Sequence, residues 1–172
     1  MIHSRAEIIE TLNSEVNLVL QTVGPMDMNR LTASKDGRWS IANNMEHLIL
    51  SAKPIALAFS IPKFLLHYFG KPNRAGRKFD EIVSRYKQKL DQGGKAPSKF
   101  IPNHKINSKE ELLEKFNRAH IKLVTNISSC SEDNLDRYLL PHPLLGKILL
   151  REMCFFAIYH IQHHHNAIKK QV

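Results

Sequence analysis

The sequence predicts an all-α protein, and more specifically a four-helix bundle. Four segments carry apolar residues at the spacing of an amphipathic helix, and little of the chain shows the alternation that is typical of strands. The chain has 172 residues, of which 42% are apolar, so it is long enough to bury one core. We therefore expect residues 1–172 to form a single domain built on four main helices.

The first and third main helices begin at similar capping sequences. Ser4 with Glu7, and Ser108 with Glu111, have the spacing of a capping box, in which each side chain bonds the other residue's backbone amide. The first helix is predicted over residues 5–23. The apolar positions that define the two helices are Ile8, Ile9, Leu12, Val16, Val19, Leu20 and Val23, and then Leu112, Phe116, Ala119, Leu123 and Ile127.

The second and fourth main helices lie next to prolines. Ser40 is placed to cap the second helix, Pro54 is expected to kink it, and Pro62 is expected to mark its end or a second break. The fourth helix is predicted over about residues 146–170, after a proline-containing stretch that resists helix formation.

A long connection, residues 70–107, joins the second and third main helices. It is rich in Gly, Pro and Lys, with one short helix expected near residues 80–90, and its length suits a crossover. Between residues 71 and 99, nine Lys or Arg outnumber three acidic residues, and the whole chain has a formal net charge of +9. Such an excess could attract an anionic substrate, nucleic acid or a membrane surface. Because no nucleic-acid-binding motif accompanies it, we interpret the segment as a solvated, mobile connection.

Several classes of protein do not fit this composition. No apolar run is long enough to span a bilayer, and the amino-terminal residues lack the basic and apolar regions of a secretory signal. Cys130 and Cys154 are too few for a disulfide scaffold. We therefore expect a cytoplasmic protein with reduced thiols and no membrane partner.

Two histidines of the last helix carry the clearest chemical pattern. His160 and His164 are four residues apart, so they project to one side of the helix. They continue the apolar stripe of Leu149, Met153 and Phe156, which must face the core. Burying two imidazoles is unfavourable unless something binds them, and a divalent metal ion does so. The spacing alone leaves open a hydrogen-bonded core histidine followed by a frayed, polar helix end.

The remaining histidines differ in their setting. His47 lies in the second helix, which is apolar on two faces, so we expect it to be interior and the best candidate for a third ligand. His142, between two prolines, could approach a site near the last helix, whereas the helical projection places His165 toward solvent. For the others a surface or locally bonded position is expected; these are His3, His67, His104 and His120.

With these residues placed, the sequence resembles the DinB-like (DinB/YfiT-like) superfamily of metalloenzymes. The resemblance lies in three motifs: WSIANNMEHL at residues 39–48, the segment from LPHP at residues 140–143 to residue 153, and HIQHH at residues 160–164. The third motif departs from the family just beyond its end, where the family often continues Arg-Gly-Gln and this chain continues with residues 165–167, His-Asn-Ala.

The resemblance has several implications. It implies a four-helix bundle with up-down-down-up connectivity and assigns His47, His160 and His164 as the metal ligands. It also implies nickel or zinc as the metal and, in some members, a low-molecular-weight thiol as co-substrate, because the superfamily includes thiol-dependent S-transferases and a thiol-dependent isomerase. Three histidine ligands would leave a coordination position open, as catalytic metal sites do.

Three functions follow as hypotheses. The leading one is a divalent-metal-dependent enzyme acting on a small molecule, either a thiol-dependent S-transferase or a hydrolase. The alternative is a non-catalytic metal- or ligand-binding module with the same three histidines. A nucleic-acid-binding protein is a third reading that depends on charge alone, so no nucleic-acid partner is expected. Homodimerisation is left open by the sequence.

Overall fold

The computed structural model describes residues 2–34, 37–103, 106 and 108–172. It confirms the prediction of a four-helix bundle, with a long connection between the second and third main helices. The helices are α1 (Arg5–Val23), α2 (Met28–Thr32), α3 (Ile41–Ser60), α4 (Phe79–Asp91), α5 (Lys109–Ser128), α6 (Glu132–Arg137) and α7 (Leu150–Lys169), with 3₁₀ helices at Lys63–Phe69 and Ser98–Phe100 and strands β1 (Leu139–His142) and β2 (Gly146–Leu149).

Three of the main helices, α1, α3 and α5, begin directly after a serine that caps them. At α1 the Ser4 hydroxyl accepts a hydrogen bond from the Glu7 amide, and the Glu7 carboxylate accepts one from the Ser4 amide, which completes the predicted capping box. Ser40 forms a similar reciprocal pair with Asn43 at α3. At α5 the Ser108 hydroxyl accepts from the Glu111 amide and donates to the neighbouring Glu110 carboxylate.

The second main helix passes through one proline and ends before the next. Helix α3 continues through Pro54 as far as Ser60. Pro62 then caps the following 3₁₀ helix, whose axis is turned by 114° from that of α3, so Pro62 marks the predicted break.

The start of the last helix was predicted wrongly. Residues 146–149 form strand β2, which pairs antiparallel with β1 in the register Leu139↔Leu149 to His142↔Gly146, and α7 begins only at Leu150. Helical periodicity cannot separate this short apolar run from the helix that follows it, because Ile148, Leu149 and Leu150 are all buried in either conformation. Gly146, with φ of 72°, ends the hairpin turn in a backbone conformation that favours glycine.

Four pairwise helix contacts enclose the core. Helix α1 packs against α5 and α7, and α3 packs against the same two helices, with α3 and α5 forming the most extensive pair. The short helix α4, predicted near residues 80–90, packs on the outside of α7 and buries Ile82 and Tyr86 there. The long connection is therefore not wholly solvated, because α4 is part of the packed structure.

The cysteines and the membrane criterion give two further observations. Cys130 and Cys154 are buried free thiols, and burial raises the pKa of both. Among the described residues no single helix meets the length and hydropathy criterion for crossing a membrane, and only the bent pair of Ile41–Ser60 with Lys63–Phe69 meets it jointly.

Candidate functional site

The three histidines singled out in the sequence meet in the core between α3 and α7. His47 comes from α3, and His160 and His164 come from successive turns of α7; all three are buried. One potential ligand atom from each ring lies within 4.8 Å of the others. The Nε2 atoms of His47 and His160 are 3.0 Å apart. We refer to these residues as the histidine cluster.

Hydrogen bonds from outside the cluster fix two of its rings. His47 Nδ1 lies 2.7 Å from the carbonyl oxygen of Phe100, which can only accept, so this nitrogen carries a hydrogen. His164 Nδ1 likewise donates to Asn44 Oδ1 at 2.7 Å, and Asn44 in turn donates its amide hydrogen to the Ser40 carbonyl. In the neutral rings the Nε2 atoms of His47 and His164 therefore carry lone pairs and no hydrogen.

Burial keeps the cluster neutral. It lowers the pKa of His47, and it lowers the pKa of His160 and His164 well below the usual histidine value, with the neighbouring rings of the cluster adding to the effect. Without a bound cation, the short His47–His160 contact requires that His160 Nε2 donate its hydrogen to the lone pair of His47. Neutral imidazoles with converging nitrogens have the chemistry of a metal-ligand set, so the residues present fit a divalent ion.

Sequence reasoning missed the residues that orient the rings. Asn44 lies one turn before His47 in the second-helix motif, and its position was available from the sequence, but nothing there showed that it reaches across to α7. Phe100 belongs to the long connection, and its carbonyl reaches His47 because the 3₁₀ helix Ser98–Phe100 packs on α3. Such backbone contacts depend on tertiary folding and leave no pattern in the side chains.

The other histidines of α7 and α5 have separate partners. His165 was expected to face solvent but is buried, because α1 covers that side of α7; its Nε2 lies 2.8 Å from the Thr22 hydroxyl. His120 is buried and donates locally to the Phe116 carbonyl at 2.7 Å. His163 is partly buried beside His164, with ring centroids 5.1 Å apart. His3 and His67 are exposed, and His104 lies outside the described residues.

A cavity of about 560 Å³ opens beside the cluster. His47 and His160 line it, together with His142, which confirms the expectation that His142 could approach this region. Most of its wall is apolar. The apolar lining comes from α3 and the residues that follow it, the 3₁₀ helix Lys63–Phe69, β1 and α7, and includes Ile55, Ile61, Phe69, Leu140, Met153 and Phe156.

The basic side chains of residues 71–99 lie in different surroundings at the two ends of the segment. Arg74 forms two hydrogen bonds of 2.6 Å to the fully buried Glu152, which also accepts from the amides of Arg77 and Leu149. Burial opposes ionisation of Glu152, but these four bonds outweigh it and hold the pKa of the carboxyl below its usual value. At the other end of the segment two exposed lysines line the cavity; they are Lys95 and Lys99.

Comparisons with known proteins agree with this description. The family model for the DinB superfamily matches residues 4–168. Among solved structures, the fold is similar to TT2238, a four-helix bundle protein (18% identity, TM-score 0.62, covering 97% of this chain and 99% of that one). It is also similar to YfiT from Bacillus subtilis, described as a probable metal-dependent hydrolase with an unusual four-helix bundle topology (16% identity, TM-score 0.63, covering 99% and 88%).

A third similar structure was solved with a nucleic acid. This is the colibactin self-resistance protein ClbS in complex with double-stranded DNA (20% identity, TM-score 0.58, covering 99% of this chain and 96% of that one). No curated protein matches the sequence. At these identities the similar structures establish the fold and leave the reaction open.

Proposed function

The chain belongs to the DinB superfamily, and from this we propose that it is a metal-dependent enzyme that binds one divalent ion through His47, His160 and His164 and acts on a largely apolar small molecule. The observation that carries the proposal is the convergence of three buried, neutral imidazoles beside a cavity. Their ligand atoms are close enough that small side-chain rotations would direct all three to a single ion.

The surrounding residues support a metal site with an oriented outer shell. The Phe100 carbonyl and the Asn44 amide hold the Nδ1–H groups of two rings, which leaves their Nε2 lone pairs facing inward. Outer partners of this kind fix the tautomer of a ligating histidine and raise its basicity. Imidazole ligands suit nickel and zinc, the two metals that the family resemblance implies. When bound, an ion with three histidine ligands supplies an open position and Lewis acidity.

Hydrolysis is the reaction we place first. The cavity wall is mostly apolar, so it would bind an uncharged or weakly polar compound and exclude bulk water from the cluster. The similar structure of YfiT, described as a probable metal-dependent hydrolase, supports the same class.

Thiol-dependent S-transfer is the second candidate. Lys95 and Lys99 line the cavity, and two cations there suit a thiol co-substrate that carries carboxylates. A turnover assay separates the two reactions, since hydrolysis proceeds without added thiol and S-transfer stops without it.

Metal content and turnover test the proposal directly. Untagged protein is expected to contain about one nickel or zinc ion per chain, measured by elemental analysis, and to convert aryl esters or, with added thiol, electrophilic alkyl halides. His164→Ala should lose the ion and the activity, whereas His67→Ala, which removes an exposed histidine, should retain both. If His164→Ala keeps the ion and the rate, the proposal is wrong. Metal binding without turnover would favour the non-catalytic binding module.

The proposal also covers partners and location. We propose a small-molecule substrate, no nucleic-acid or membrane partner, and a cytoplasmic location. Light scattering would measure whether the protein forms a homodimer. ClbS was solved with double-stranded DNA, so DNA binding needs its own test. Part of the basic segment is already occupied, because Arg74 pairs with Glu152. A 20-base-pair duplex is therefore expected to bind negligibly at 50 mM salt, and steeply salt-dependent binding would overturn this part.

A further inference from the structure

His142, at the end of β1, has a ring whose two nitrogens have different surroundings. Its Nδ1 accepts hydrogen bonds from the backbone amides of Leu144 and Leu145, both at 3.1 Å. A backbone amide can only donate, so Nδ1 carries no hydrogen. In the neutral ring the hydrogen must then be on Nε2. The tautomer of His142 is thus fixed by its own hairpin turn and is the opposite of that of His47 and His164, whose hydrogens are on Nδ1.

The hydrogen on Nε2 is directed away from that turn, in a ring that borders the cavity. The two nitrogens of an imidazole point in different directions, and the ring lines the cavity that His160 also lines. The ring packs edge-on against Phe156, with centroids 4.2 Å apart. Among the described residues no side chain or backbone group accepts a hydrogen bond from Nε2. A donor in mostly apolar surroundings is unfavourable unless a ligand or water accepts from it.

Two aromatic rings place this donor beside the histidine cluster. Phe156 stacks on His160 with centroids 4.9 Å apart and also contacts His142, with centroids 4.2 Å apart. Tyr86 lies 6.1 Å from the His142 centroid and 6.3 Å from the His160 centroid. The His142 ring and the cluster therefore lie close together in the wall of one cavity.

We propose that His142 binds the substrate, donating a hydrogen bond from Nε2 to an acceptor oxygen on an otherwise apolar molecule, such as the carbonyl of an ester, amide or ketone. This inference rests on the proposed function, because it takes the cavity to be the substrate site. Burial lowers the pKa of His142 to about 4, so the ring is a neutral donor at physiological pH and adds no positive charge to the cavity. A neutral donor suits an uncharged carbonyl and does not select for a carboxylate.

The competing explanation is that His142 only stabilises the hairpin turn. Two substitutions distinguish this structural role from substrate binding. His142→Asn places an amide oxygen where Nδ1 now accepts, so it keeps the turn but removes the donor at the Nε2 position. His142→Gln places an amide nitrogen near the Nε2 position, so it keeps a donor but loses the acceptor of the turn. Each variant therefore keeps one of the two hydrogen-bonding functions of the imidazole and loses the other.

Binding of butyrophenone, an unreactive apolar ketone, provides the test. Its Kd is measured by NMR titration of the full chain as purified, with the metal content of each variant shown to match. We expect His142→Asn to weaken binding roughly threefold to tenfold, the range for one neutral hydrogen bond, with an unchanged Tm. We expect His142→Gln to bind within about twofold of the wild type and to have a lower Tm. Equal Kd values for the wild type and His142→Asn, or no binding to the wild type, would overturn the inference.

The tautomer supplies a readout that does not depend on activity. Long-range ¹H–¹⁵N correlation of the histidine rings, assigned by comparison with His142→Asn, is expected to show His142 with hydrogen on Nε2 and to show that resonance moving on addition of the ketone. An Nδ1–H tautomer would overturn the inference. If the wild type contained no metal or showed no turnover, that result would instead count against the proposed function. Neither quantity is measured by the tautomer experiment or by the ketone titration.

Discussion

Helix α7 buries polar groups near both of its ends, and the two ends differ in how those groups are satisfied. At the amino-terminal end, Glu152 receives four hydrogen bonds from Arg74, Arg77 and Leu149, so protein groups surround it completely. At the carboxy-terminal end, His160 and His164 turn their nitrogens toward His47. A closed network holds the fold together, whereas converging imidazole nitrogens form a set of ligands that suits a cation.

The first prediction removes the closed network. Glu152→Ala leaves the part-buried Arg77 amide and the buried Leu149 amide unpaired and removes one attachment of the connection to α7, so it should lower the free energy of unfolding by about 3 kcal/mol. In a chain of this size that corresponds to a Tm lower by roughly 6–12 °C, measured by calorimetry. The folded variant should still bind metal. Loss of the ion without loss of stability would show that the two ends of α7 are not independent.

The second prediction concerns the open end. Zinc at a hundredfold excess over its Kd should stabilise the wild type by about 2.7 kcal/mol, because it binds only the folded chain. His47→Ala should show almost none of this gain in stability. His165→Gln should retain it, because His165 is bonded to Thr22 and lies outside the cluster. Differential scanning fluorimetry with and without zinc measures the difference. Equal gains in wild type and His47→Ala would remove His47 from the site.

The third prediction addresses the outer shell. Asn44→Ala removes the acceptor of His164 Nδ1–H and should weaken metal binding about 10- to 100-fold, the usual effect of losing such a partner. Asn126→Ala is the matched control, because Asn126 also makes a 2.7 Å bond, in this case to the Ala56 carbonyl on a different face of α3. Competition with a chromogenic chelator measures both. An unchanged affinity in Asn44→Ala would make that bond structural.

The sequence predicts the closed and the open end of α7 to different degrees. Helical spacing is enough to place His160 and His164 on one buried face, since that depends only on the geometry of the helix. The position of His47 opposite them was expected mainly from the family resemblance, because no local pattern specifies how α3 and α7 pack. Two partners of Glu152, Arg74 and Arg77, come from a connection about 75 residues away in the chain and could not be predicted from spacing.

The errors have a similar origin. His165 was expected to face solvent because a single helix has one obvious core side, but α7 packs against α1 as well as α3 and so has two. The strand at residues 146–149 was read as helix because a short buried run is apolar in either conformation. Both errors concern tertiary packing that local periodicity does not contain.

The last prediction uses His120, a buried histidine that bonds the local Phe116 carbonyl and does not belong to the histidine cluster. Burial lowers its pKa to about 4 from an unfolded value near 6.5, so the unfolded chain binds more protons between these values. Stability from this residue is therefore complete above about pH 6.5 and is lost as the pH falls toward 4. Between pH 7 and 5.5 the loss should be about 1 kcal/mol.

His120→Gln tests this prediction, because glutamine can donate to the Phe116 carbonyl without titrating. Urea unfolding at pH 7 and 5.5 should show a stability difference between the two pH values that is smaller in the variant than in the wild type by about 1 kcal/mol. Saturating zinc should leave this difference in place, because His120 lies outside the cluster, while protecting the cluster itself against acid. If zinc abolished the pH-dependent contribution of His120 to stability, His120 would be coupled to the metal site. The distinction between hydrogen-bonded histidines and metal-binding histidines would then be wrong.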